Sequence, residues 1–166
     1  MLRRLPNVPL LIIAVALGSY LTYQNVKSTP VTVKNYSDYW EFSSHHLNQS
    51  RWTYGPPPMS QSQALETSRH VVDSVTKRNA ETGYQNFELQ SVALLNLGSE
   101  NSWWAYRVFI SANAVDNERG WYHLSFLLLM DGRLAFDATN HSPAIIDAMR
   151  DFGSKNGVEI IWTQKG

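Results

Sequence analysis

The 166 residues suffice for one domain with a short appendage, and 43% apolar with 12% aromatic residues supply a real core rather than a disordered chain. Basic and acidic residues balance at 14 each with no long run of either sign, so the electrostatic footprint of a nucleic-acid binder is missing. Cysteine is absent, which excludes disulfides, thiol catalysis and cysteine-ligated metal sites but does not exclude export.

The N-terminus carries the strongest local signal. Arg3 and Arg4 precede the uninterrupted apolar run Leu10–Leu17, and Ala16-Leu17-Gly18 offers small residues at the −3 and −1 positions of a cut before Ser19. This is the order of a secretory signal peptide. Residues 5–23 are also long enough, at about 28 Å as a helix, to approach the hydrocarbon thickness of about 30 Å, so an uncleaved membrane anchor remains the other reading. Either way the sequence predicts a domain outside the cytoplasm: membrane-anchored, or secreted or periplasmic if cleaved after Gly18. Without the leader's two arginines the chain counts 12 basic against 14 acidic residues.

Residues 24–58 read as a polar linker followed by an aromatic-rich arm. Tyr36, Tyr39, Trp40, Phe42, Trp52 and Tyr54 show no clean period, and a short helical turn is expected around Ser37–Phe42 with Ser37 as its cap. Gly55-Pro-Pro-Pro58 then forces a turn and extended chain.

Residues 59–166 hold the domain. The spacing of Ala64, Leu65, Ser68, Val71, Val72 and Val75 predicts a helix over Ser60–Arg78. Phe87–Leu97 is apolar and bounded by polar Gly98–Asn101. Trp103–Ala112 and Trp121–Met130 have strand propensity, and the second is apolar on both faces at its end. Asp131-Gly132 predicts a two-residue type I′ hairpin leading back through Arg133–Phe136. Ser142-Pro143 predicts a helix start, with Ile145, Ile146, Met149 and Phe152 at helical spacing and Gly153 as its stop. Val158–Trp162 is a last strand.

This order gives an α+β fold: an N-terminal hydrophobic helix, then one domain with a long helix packed on an antiparallel sheet. Over residues 60–136 the element order resembles the cystatin-like or NTF2-like superfold. The closest local match to the cystatin inhibitory loop, Gln90-Ser-Val-Ala-Leu94, departs from it at Leu94, where that loop needs glycine. The resemblance therefore implies a helix across a curved sheet and not protease inhibition.

Each candidate for chemistry has a structural explanation beside it. Adjacent His45 and His46 make a poor chelate. His123 and Ser125 share a strand face. Asp137, His141 and Ser142 lie close in sequence, but Ser142 suits a helix cap and Asp137 a hairpin end. No catalytic residue, metal site or cofactor is assigned. The six tryptophans are the most suggestive feature. Trp103 and Trp104, as strand neighbours, must face opposite sides. Trp40, Trp52, Trp104 and His123 are the candidate ligand-binding residues, through an aromatic platform or the sheet itself. The expected function is a non-enzymatic extracytoplasmic domain that binds a protein or small ligand, such as an envelope protein, through its sheet or aromatic arm. The alternative is an NTF2-like enzyme whose helix–sheet pocket pairs His123 with a carboxylate such as Asp137. Partners are expected to include the membrane, through residues 5–23 if uncleaved, and not nucleic acid.

Overall fold

The computed structural model describes residues 30–35, 38–48, 50–98, 103–115 and 120–163. The N-terminal apolar segment lies outside the described residues, and among them no helix is long and apolar enough to cross a membrane.

The arm comes first. Strands β1 (Pro30–Asn35) and β2 (Asp38–Ser43) pair antiparallel, with Asn35 opposite Asp38 and Pro30 opposite Ser43. The helical turn expected over Ser37–Phe42 is therefore a strand. Tyr39, Trp40 and Phe42 favour a pleated backbone, and Val31 and Val33 supply a partner of the same preference. A single turn of helix, α1 (Ser44–Asn48), follows.

Helix α2 (Gln61–Thr76) starts where its sequence directs. Ser60 accepts from the Gln63 backbone N–H while the Gln63 side chain accepts from the Ser60 N–H, a reciprocal capping box. Its buried positions are Ala64, Ser68, Val71 and Val75, whereas Leu65 and Val72 stop half-buried. Of the face expected from the spacing, the buried stripe thus takes the Ala64–Ser68–Val71–Val75 side and leaves Leu65 and Val72 at its margin. Ser68 tolerates full burial because its hydroxyl donates to the Ala64 carbonyl at 2.6 Å.

A short α3 (Asn79–Thr82) ends on left-handed Gly83, and β3 (Tyr84–Gly98), β4 (Trp103–Ala114) and β5 (Trp121–Leu129) then run as an antiparallel meander. β6 (Leu134–Asp137) pairs with β5 at only two positions, Leu127 with Ala135 and Leu128 with Leu134. Helix α4 (Pro143–Asn156) carries the chain over to β7 (Ile160–Thr163), which lies parallel to β6. The sheet order is β3-β4-β5-β6-β7.

The hairpin at Asp131-Gly132 forms, but its turn differs from the expected one. Gly132 has φ +90° while Asp131 is not left-handed, and Gly132 N–H reaches the Leu129 carbonyl at 2.9 Å. Leu129 and Arg133 bracket a three-residue loop in which the left-handed glycine comes last. Asp131 uses its carboxylate to accept from the Arg133 backbone and guanidinium.

Gly153 does not stop α4. The helix continues to Asn156 and is capped by left-handed Gly157. Glycine is needed at 153 for closeness instead: an added Cβ would lie 2.8 Å from the Val158 carbonyl oxygen.

One face of the sheet is covered by helices and the other, at one end, by the arm. On one, α2 and α4 bury Ala64, Val71, Val75, Ile145, Met149 and Phe152 against Tyr106, Val108, Ile110, Leu124, Phe126 and Phe136. Ser74 of α2 donates to the Ala148 carbonyl of α4, and Arg78, just past the end of α2, pairs with Asp151 of α4 at 2.7 Å. On the other face, Trp40 and Leu47 of the arm close over Trp103, Ala105, Leu127, Leu129, Ala135 and Ile161. Arg133 reaches from the hairpin to the His46 carbonyl and fastens the arm. Among the described residues Trp103 Nε1, Ser50 Oγ, Thr163 Oγ1 and His46 Nδ1 are buried without hydrogen-bond partners, so polar burial offsets part of what the arm layer gains.

Candidate functional site

Alternation along β4 and β5 assigns every side chain to a face. Ile110, Leu124 and Phe126 point to the helices, so Arg107, Phe109, Ser111 and Asn113 of β4 point away, together with Trp121, His123, Ser125, Leu127 and Leu129 of β5. The arm covers one end of this second face. Exposure therefore rises along β5, from fully buried Leu127 and Leu129 through half-buried Ser125 to exposed His123 and a Trp121 that is 70% exposed.

The open end has its own order. The His123 ring stacks on Phe109 at 5.1 Å and 24°, and the Arg107 guanidinium lies 5.5 Å from the Phe109 centroid. Stacking and cation–π geometry hold the three side chains in a strip across two strands. Ser111, opposite His123 in the register, accepts a hydrogen bond from Gln90 Nε2 at 2.8 Å. The result is an aromatic surface with a cation at one end and the Gln90 amide beside it. Such a surface offers stacking area and hydrogen bonds to a bound partner.

The four sequence-derived candidates are not brought together. Trp40 is 1% exposed in the arm-side core. Trp52 and Trp104 do meet, ring edge to face at 5.5 Å, with Trp52 Nε1 donating to the Gly55 carbonyl and Trp104 packed against the helix-side core. His123 stands on the opposite face from Trp104. Trp103 is buried beneath the arm, so the neighbouring tryptophans do face opposite sides.

His123 and Asp137 are not joined by a hydrogen bond or ion pair among the described residues; the Asp137 carboxylate accepts from Thr139 instead. His45 and His46 stand 6.3 Å apart with rings tilted by 56°, and among the described residues no group of metal-ligating side chains assembles. Ser142 caps α4 by accepting from the Ile145 N–H.

Sequence reasoning missed one cluster on the helix side. Tyr122 hydrogen-bonds through its hydroxyl to Nδ1 of His141, whose ring stacks on Phe136 at 4.8 Å, while Tyr122 stacks on Tyr84 at 4.3 Å. Burial holds the His141 imidazole below its usual pKa, with the Asp137 carboxylate acting in the opposite sense. Burial, and then Tyr84, push the Tyr122 hydroxyl above the usual tyrosine value. Phe109 and Trp121, which build the open face, were also missed as site residues. The alternation of β4 and β5 was the available signal, but only the arm's position tells which end of the face stays open.

No family model, no curated protein and no solved structure matches this chain.

Proposed function

We propose that this chain is a non-enzymatic extracytoplasmic binding domain, tethered to a membrane or secreted, with a cystatin-like or NTF2-like helix-on-sheet fold. It takes a protein or small ligand on the open end of the sheet face that the arm leaves uncovered. One observation carries the reading: Trp121, 70% exposed, stands on the same face as the Phe109–His123 stack, where an interior-sized aromatic surface meets solvent. The location rests on the apolar run Leu10–Leu17 behind Arg3 and Arg4. The arm is the weaker choice of binding surface, since Trp40 is spent in the core. An acid–base enzyme using His123 and Asp137 has less support, because His123 faces away from α2 and Asp137 is held by Thr139.

The test has two readouts. Fractionation with N-terminal sequencing should find the protein in membranes starting at Met1, or exported and starting at Ser19; a soluble cytoplasmic form would remove the location. Crosslinking from membranes should capture a partner with the wild type that is lost with the Trp121→Ala, His123→Ala double variant. Capture unchanged by that double substitution would remove the open face as the binding surface.

A further inference from the structure

Strand β3 lies at one edge of the sheet, and its far side meets no other strand among the described residues. Folded proteins blunt such edges with lysine, proline, bulges or a covering segment. β3 is irregular between Gln85 and Glu88, between Leu89 and Ser91, and between Asn96 and Gly98, yet it pairs with β4 in unbroken register from Ser91 to Asn96. Among the described residues that stretch has no such guard. From Leu89 to Leu97 the sequence holds no charged residue and no proline. Ala93 is exposed and Leu94 is 43% exposed. The main-chain groups of Ser91–Leu95 that point away from β4 form a template for another strand.

A groove of about 350 Å³ lies directly beside this edge, between the first turns of α2 and β3. Leu65, Leu89 and Val92 give it an apolar lining, Gln61 and Ser62 stand on the helix side, and no side chain in it is charged. Two features open it. Leu65 stops half-buried instead of reaching the core, and the irregularity at Gln90 sends that side chain to the opposite face, where it binds Ser111.

We infer that β3 and this groove form a strand-addition site, which takes an extended, uncharged peptide segment of a partner protein onto the sheet edge. The edge supplies main-chain hydrogen bonds, and alternate side chains of the incoming strand face the helix side. One apolar side chain there seats against Leu65, Leu89 and Val92. A charged one would lose its hydration with no counter-charge in the groove. This surface is separate from the Trp121 face, so the two stand or fall independently.

The full-length protein is panned against displayed short random peptides, and the selected peptide is synthesised for binding to the wild type, Leu94→Lys and Ser62→Trp. Both positions are exposed, so both variants should keep the wild-type melting temperature. Selected peptides should alternate apolar residues with no charge among them, and should slow hydrogen exchange at the Ser91–Leu95 amides. Each variant should weaken binding by about tenfold or more, while Trp121→Ala leaves it unchanged. Failure to enrich any peptide, enrichment of charged ones, or undiminished affinity in both variants would overturn the inference. So would loss of binding in Trp121→Ala alone, which assigns the peptide to the open face. The chain has no cysteine, so an Ala93→Cys variant reports self-pairing cleanly. A disulfide-linked dimer formed without peptide would give the edge to a second copy and overturn it as well.

Discussion

The Tyr122 hydroxyl and Nδ1 of His141 share a hydrogen bond that links β5 to the residue just before the Ser142 cap of α4. The His141 ring is also stacked on Phe136, so one imidazole joins the sheet to the start of the helix that covers it. Because burial lowers the folded pKa of His141, the folded state resists a proton that the unfolded chain accepts below about pH 6.5. Stability should therefore be greatest above that value and decline as the pH falls toward the lowered folded pKa. Melting temperatures measured between about pH 7 and about pH 5 should fall more steeply for the wild type than for His141→Gln. Parallel curves would refute the assignment. Tyr122→Phe leaves Nδ1 without its hydroxyl partner and should cost about 1–3 kcal/mol at neutral pH, read from denaturant midpoints.

The buried stripe of α2 makes neighbouring valines unequal. Val71 is fully buried and Val72 only partly. Truncating Val71 to alanine should cost about 1–3 kcal/mol through lost burial and a cavity, and Val72→Ala clearly less. Equal losses in chemical denaturation would place the helix in the orientation expected from its sequence alone.

Tryptophans on the same sheet face should behave oppositely. Trp40→Ala should destabilise by about 3–5 kcal/mol because it empties the centre of the arm-side core. Trp121→Ala should stay within about 0.5 kcal/mol, since its ring is largely in solvent. Thermal melts decide this. A stable Trp40→Ala protein would mean that the arm does not hold the sheet.

Gly153→Ala sets two effects against each other. Alanine favours helix by about 1 kcal/mol over glycine. Its methyl would meet the Val158 carbonyl oxygen at 2.8 Å, and that atom is backbone, leaving no cheap way to yield. Contact should win, with a net loss of about 1–3 kcal/mol. A raised melting temperature would show that the β7 connection gives way easily.

The periodic elements of the domain were legible. α2, β4, β5 and the start of α4 carry their evidence in short-range form: the spacing of Ala64 to Val75, the strand propensity of Trp103–Ala112 and Trp121–Met130, and Ser142 with Pro143. The arm was not, because its strand character depends on β1 meeting β2 and on burying Trp40 across the sheet. Gly153 was misread for a related reason, as sequence spacing cannot show that residue 158 returns to touch it. The loop at Gly132 kept its place and changed its type, since one glycine satisfies either turn and only the partner register decides. The open face was half-legible: the alternation marks which residues share it, but not which of them the arm hides.

The arm docks against β6 and β7, the last strands of the chain. A ribosome delivers residues 30–48 long before residues 134–163, an interval on the order of ten seconds at ordinary rates of synthesis. During that interval Trp40 and Leu47 have only the β4 and β5 part of their core to meet, without Ala135 and Ile161, while β3, β4 and β5 are already able to close on α2 through contacts that lie near one another along the chain. The arm, made before the sheet, is thus fully seated only when β6 and β7 arrive. A chain halted before Ile160 would hold a zipped meander with a loose aromatic flap, the state in which this molecule is most exposed to proteases and to unwanted association.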